Sequence, residues 1–266
     1  MFQKDRILFT LKWNWGCLLA VVLIWSYGFE TVTVPLDSLQ NKNLTYLLGL
    51  FVFLFILVGD FYIGYFHMQI VIHRINTIGE LKKIPLAYGI EIDLRAEGSH
   101  LVLNHEPFCG GESFVDYLAE YHHRLLVLNI KEAGIESEVI RFVKERNIPD
   151  YFLLDVEFPY IYQSSRKGQR NISIRYSEDE PIQAALQYRN RVDWVWIDTN
   201  TKLPLDAAVI QNLRGFKTCL VCPGRWGRSR DIPGYRQKMK QLGFEPSAVM
   251  IAFDDVSLWE QPLHAG

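Results

Sequence analysis

The 266-residue chain has no basic excess. Its 28 Lys and Arg stand against 30 Asp and Glu, for a formal net charge of -2. Nucleic-acid binders present a strongly basic surface, so no nucleic-acid partner is expected. Cysteine is scarce: Cys17, Cys109, Cys219 and Cys222. The C-L-V-C at 219–222 is not a zinc half-site, because residues three apart on a strand face opposite sides and no second pair completes the set. Reduced thiols in or near a core are the expectation. Internal repeats and low-complexity segments are absent. Disorder is excluded by a hydrophobic share of 49% and an aromatic share of 14%, enough to build a sizeable core.

What is present is unevenly spread. Residues 15–29 are almost free of charge around C-L-L-A-V-V-L-I-W, and 44–66 form a longer apolar run broken only by Asp60. A bilayer needs about 20 mostly apolar residues per helix. Residues 1–67 are therefore expected to be a membrane anchor with two spans, about 13–34 and 44–66, the first flanked by interfacial Trp13, Trp15, Trp25 and Tyr27. A buried helical hairpin is the alternative, and neither run offers it a polar face. No small-x-small cleavage site follows the first run, as a signal peptide would require. Lys4, Arg6 and Lys12 precede the first span, Arg74, Lys82, Lys83 and Arg95 follow the second, and only Lys42 lies between. The positive-inside rule then places both termini, and the soluble part, in the cytoplasm.

From residue 68 to 266 short apolar runs alternate with amphipathic stretches. The runs are 69–73, 89–94, 101–104, 125–130, 151–156, 172–175, 194–198, 218–222 and 248–253. Most are β-branched or aromatic and strand-length. Residues 135–146 place Ile135, Val139, Ile140 and Val143 on one helical face, and 181–189 and 207–213 read similarly. Strands separated by helices imply an α/β fold with parallel strands. Eight such units, plus one extra strand beside the second, fit a closed (β/α)8 TIM barrel with lean loops.

In such a barrel chemistry sits at the C-terminal strand ends. The first run ends in His73-Arg74. The second carries Glu91 and Asp93, two apart and therefore on one side; the short extra strand is followed by His105; and the next run offers Asn129 and Lys131, again on one face. Two carboxylates on the inward side need a cation or a raised pKa, and a hard divalent ion such as Mg²⁺ or Ca²⁺ meets that need. An E-x-D pair is common on solvated faces, but Ile90, Ile92 and Leu94 leave only one face polar here. Asp155, Arg175 and Asp198 end later strands and could line the same pocket. Trp194 and Trp196 share a face and suit barrel filling or helix packing better than a sugar platform, and G-R-W-G-R at 224–228 suits a solvated surface loop better than a grip on a phosphate or a lipid headgroup.

His-Arg on the first strand, E-x-D on the second, His after a short extra strand and Lys on the third resemble the glycerophosphodiester phosphodiesterase family, within the phosphatidylinositol-specific phospholipase C-like phosphodiesterase superfamily. The motifs cover the first half of the barrel; later strands match in spacing alone. The resemblance implies that His73 and His105 are general base and acid, that Glu91, Asp93 and Asn129 hold the metal, and that Arg74 and Lys131 hold the phosphate. Three departures mark a divergent member. Ile75 stands where glycine usually follows His-Arg, which would crowd the phosphate loop. Asn76-Thr77 comes directly, without the usual Glu, and Asn129 replaces an acid. Three functions are compatible: hydrolysis of glycerophosphodiesters or another small or lipid-derived phosphodiester, phospholipase-like cleavage of intact lipids, or a catalytically inactive barrel serving as a membrane-bound scaffold.

Overall fold

The structure, a computed structural model, describes residues 68–261 together with Trp13–Asn14 and Cys17–Leu18. By contacts the chain divides into two units, Met1–Phe66 and His67–Gly266. In the first unit Trp13 pairs with Leu18 and Asn14 with Cys17, antiparallel and extended, at the point where the first span was expected to begin as helix. The remainder of both expected spans lies outside the described residues. Among those described, no helix is long and apolar enough to cross a membrane.

The second unit carries eight parallel strands: β1 Gln69–Ile72, β2 Gly89–Glu97, β3 Leu126–Ile130, β4 Tyr151–Leu154, β5 Ser173–Tyr176, β6 Trp194–Ile197, β7 Lys217–Val221 and β8 Ala248–Ile251. Each pairs with the next, β8 pairs with β1, and a single Leu153–Ile172 bridge links the edges of β4 and β5. The sheet is thereby a closed barrel. A helix follows every strand: α1 Ile78–Leu81, α2 Phe114–Ala119, α3 Glu136–Glu145, α4 Phe158–Arg166, α5 Ile182–Leu186, α6 Ala207–Leu213, α7 Ile232–Gln241 and α8 Val256–Glu260. Thr77, Ser113 and Asp206 cap α1, α2 and α6 by accepting from the amide three residues on, which ends each βα loop sharply.

Alternation along the strands builds two cores. Outward residues such as Ile72, Ile92, Leu128 and Val195 meet the helices; Val139, Ile140 and Val143 of α3 belong to this shell. Inward residues fill the barrel: Val71, Val127, Phe152, Trp194, Trp196, Cys219 and Met250. Phe152 stacks on Trp194 with centroids 4.4 Å apart, so the two tryptophans are barrel filling, as their spacing suggested. Cys219 lies in this inner cluster and Cys222 in the outer one, on opposite sides as expected for C-L-V-C. Gly89 leaves no room for a side chain here: a Cβ would stand 2.6 Å from the Leu125 carbonyl oxygen.

β2 runs longer than its neighbours. Its last residues, 94–97, pair with the antiparallel ribbon His100–Leu103, which pairs in turn with Glu112–Ser113, and after Leu94 the strand leaves the barrel. This ribbon is the extra strand expected beside the second, and it walls one side of the barrel mouth.

Candidate active site

At the C-terminal ends of β1, β2 and β3 the inward face stops being apolar. His73, Glu91, Asp93, Asn129 and Lys131 continue the alternation begun by Val71, Gly89 and Val127, and the register sets Asp93 beside Asn129. Glu91 and Asp93 are each 1% exposed. Buried like charges need donors, and the local chain provides them. Glu91 accepts from the Arg74 amide at 2.7 Å and from Asn129 Nδ2 at 2.8 Å. Asp93 accepts from Asn76 Nδ2 at 2.9 Å, while its own amide donates to Asn76 Oδ1 at 2.8 Å. Arg74 Nε stands 3.6 Å from Asp93 Oδ2 and Lys131 Nζ 3.3 Å from Oδ1. The lysine contact is an ion pair without hydrogen-bond geometry, since Asp93 Oδ1 has no hydrogen-bond partner. Burial, then the Asp93 charge, pushes the Glu91 carboxyl up to about 7 against the pull of its Asn129 and Arg74 bonds.

His73 lies at the edge of this pair, Nε2 3.9 Å from Glu91 Oε2. Burial lowers its pKa to about 4, helped by the positive charges of Arg225, Arg74 and Lys131 and opposed by Asp93. Its imidazole is therefore neutral at neutral pH, with a lone pair free to take a proton. Arg74, two residues past β1, and Asp155, directly after β4, adopt left-handed backbone with φ 55° and 57°. Such strain in non-glycine residues gathers at functional sites; in Arg74 it turns the amide onto Glu91.

The structure places His105 differently from the rest. It lies beyond the ribbon, its side chain 34% exposed, with Nδ1 2.6 Å from Glu106 Oε1. Its link to the strand ends is through the backbone: Arg95 donates to the His105 carbonyl from Nε and Nη2, at 3.2 and 2.9 Å, and to the Lys131 carbonyl from Nη1 at 3.2 Å. Arg95 continues the Glu91, Asp93 alternation, a signal the sequence held. The strand ends carry a charge chain onward. Lys131 Nζ is 3.7 Å from Asp155, Arg175 is 3.4 Å from Asp155, and its other nitrogens are 3.4 Å from Glu180 and 3.0 Å from Asp198. Burial pushes Asp198 up to about 6 against the pull of Arg175. Beside the carboxylates a cleft of about 580 Å³ opens between the first loop and the ribbon, lined by Arg74, Asn76, Asn104 and Glu112 among others.

Ile75 does not crowd this cleft. It is buried in the outer core, its amide donating to the Glu91 carbonyl at 3.0 Å and its carbonyl accepting from Tyr117 Oη at 2.8 Å. Asn76, which follows directly in the shortened loop, reaches Asp93.

Three oxygen-bearing side chains converge: Glu91, Asp93 and Asn129. Asn129 Oδ1 is buried without a hydrogen-bond partner, and carboxylate with amide oxygens suits a hard divalent cation. Among the described residues no three of His, Cys, Asp and Glu stand close enough to hold a metal, so such a site depends on Asn129.

No protein-family model matches the chain and no curated protein matches its sequence. Among solved structures, a protein of Agrobacterium tumefaciens named as a glycerophosphoryl diester phosphodiesterase superposes with a TM-score of 0.53 at 11% identity, covering 72% of this chain and 96% of that one. A glycerophosphodiester phosphodiesterase from the same organism gives 0.52 at 12% identity, with 71% and 99% covered. Likeness at such identity is a likeness of fold: the barrel is of the form found in these phosphodiesterases.

Proposed function

We propose that this barrel is a metal-dependent phosphodiesterase acting on glycerophosphodiesters or a related phosphodiester, held at a membrane by two N-terminal spans with both termini and the barrel in the cytoplasm. The observation that carries the reading is the buried Glu91–Asp93 pair flanked by a neutral His73 and by the cations Arg74 and Lys131. His73 would take the proton of the attacking hydroxyl, from water or from the substrate itself. His105 would return a proton to the leaving alkoxide as the P–O bond breaks. Arg74 and Lys131 would meet the charge that grows on the phosphoryl oxygens. Glu91, Asp93 and Asn129 would hold Mg²⁺ or Ca²⁺, which supplies further positive charge toward those oxygens when bound. The anchor rests on the two apolar runs and the placement of Lys and Arg about them.

The test is turnover of the detergent-solubilised chain on bis(p-nitrophenyl) phosphate, glycerophosphocholine and lysophosphatidylcholine, with Mg²⁺, Ca²⁺ or EDTA. Cation-dependent release of the alcohol supports the reading, and the preferred substrate separates glycerophosphodiester from lipid cleavage. One observation favours a non-catalytic barrel instead: both Glu91 oxygens already accept bonds from Arg74 and Asn129, and Asp93 Oδ2 already accepts from Asn76. A folded protein that neither binds a cation nor turns over any of these esters would establish that second reading.

A further inference from the structure

We propose that Arg225 is a phosphate-contact residue of this site, and that Trp226 beside it is the wall against which the organic group of the phosphodiester lies; this rests on the phosphodiesterase reading. Several cations about the mouth are engaged by the protein's own acids. Arg74 faces Asp93, Lys131 faces Asp93 and Asp155, Arg175 faces Asp155, Glu180 and Asp198, and Arg228 faces Asp231. Arg225 is exposed, and among the described residues no carboxylate pairs with it; its side-chain contact is the Trp226 ring, 5.9 Å from the guanidinium. It follows β7, which neighbours β8, which neighbours the β1 strand bearing His73. Its positive charge bears on His73 ahead of those of Arg74 and Lys131. A guanidinium left unpaired at the same end of the barrel as His73 is suited to an anion the protein itself does not contain.

The loop that presents it is fastened at both ends. Upstream, Cys222 Sγ accepts from the Gly224 amide and from Trp259 Nε1, both at 3.3 Å, and stands 3.7 Å from the buried Asp255 carboxylate. Gly224 closes against that carboxylate so tightly that a Cβ would lie 1.9 Å from Asp255 Oδ2. Downstream, Arg228 donates to the Thr199 and Asn200 carbonyls, to Asp231 and to Tyr235. Between these anchors Arg225 and Trp226 project outward, Trp226 47% exposed. A merely solvated loop has no need of a buried thiol, a buried acid and a bridging arginine to hold two exposed side chains in place. The pairing of a free guanidinium with an exposed indole matches an ester that is anionic at phosphorus and carries an organic group able to lie on an aromatic face.

The experiment compares wild type, Arg225→Ala, Arg225→Lys, Trp226→Ala and the nearby exposed control Arg230→Ala, all as full-length chain in detergent. Thermal melting confirms that each is folded. KM and kcat are measured on bis(p-nitrophenyl) phosphate and glycerophosphocholine, and inorganic phosphate binding is measured by calorimetry. The expected result is a rise in KM of about tenfold or more for Arg225→Ala on both esters, since one charge-assisted contact is worth roughly 1.5–3 kcal/mol. Phosphate binding should weaken in parallel, with partial recovery in Arg225→Lys and no change in Arg230→Ala. Trp226→Ala should raise KM for the aryl ester more than for glycerophosphocholine. Equal, small effects of Arg225→Ala and Arg230→Ala on KM and on phosphate binding would overturn the arginine assignment, and an unchanged KM of Trp226→Ala on both esters would overturn the wall. Phosphate binding needs no turnover, so a wild type that hydrolyses nothing would sink the phosphodiesterase reading and still leave Arg225 decided by calorimetry.

Discussion

At the scale of single residues, the site turns on how two buried carboxylates are kept. The fold raises the Glu91 pKa from an ordinary 4.5 to about 7, so the protonated form is the one the fold favours. The stability this contributes is complete below about pH 4.5 and is lost as pH rises through about 7. In EDTA, the melting temperature of Glu91→Gln relative to wild type is therefore expected to be higher at pH 8 than at pH 5; a difference that does not change with pH would show that burial and the Asp93 charge do not hold the proton on Glu91. A divalent cation needs the ionised form, so its binding releases a proton. Calorimetry at pH 6 and pH 8 should show Mg²⁺ or Ca²⁺ affinity rising with pH. Asn129 gives the same cluster an independent handle. Asn129→Asp adds a charge where an amide oxygen stands without a partner, and is expected to tighten cation binding by about tenfold, while Asn129→Leu removes the ligand oxygen and should abolish it.

At the scale of elements, alternation explains why most of the site was legible. Expected strands at 69–73, 89–94 and 125–130 are observed as Gln69–Ile72, Gly89–Glu97 and Leu126–Ile130, and a period of two carries His73, Glu91, Asp93, Asn129 and Lys131 inward without further information. Ile75 is the exception. It was expected to crowd the phosphate, but the left-handed turn at Arg74 rotates the following residue into the outer core, and backbone dihedrals of that kind leave no mark in periodicity. His105 was legible as a residue but not as a geometry, because its place depends on Arg95 gripping a carbonyl across the ribbon. The inner packing is equally specific. Gly89→Ala would drive a methyl into the Leu125 carbonyl, and overpacking of this kind costs roughly 1–3 kcal/mol. A lowered denaturation midpoint with an unchanged slope is expected in urea, and an unchanged midpoint would show that the strand can shift.

At the scale of the whole molecule, the barrel brings chemistry from separate strands to one mouth, as closed parallel sheets do. Acids and cations alternate around that mouth from Asp93 through Lys131, Asp155, Arg175 and Asp198, while the apolar filling of Phe152, Trp194 and Trp196 closes the interior beneath. The partly exposed members of this ring, Asp155 and Arg175, can be substituted with less cost to folding than the buried Glu91 and Asp93. Residues 1–67 are legible in the sequence only as apolar runs with flanking charge. His73 is the proposed base of phosphodiester hydrolysis at the strand-end cluster. The most direct measurement is the rate of bis(p-nitrophenyl) phosphate hydrolysis by the full-length chain at saturating Mg²⁺ or Ca²⁺, wild type beside His73→Ala, with both shown to be folded. Cation-dependent turnover is expected, falling by about 10²–10⁴-fold in His73→Ala; turnover that survives the substitution unchanged would contradict the claim.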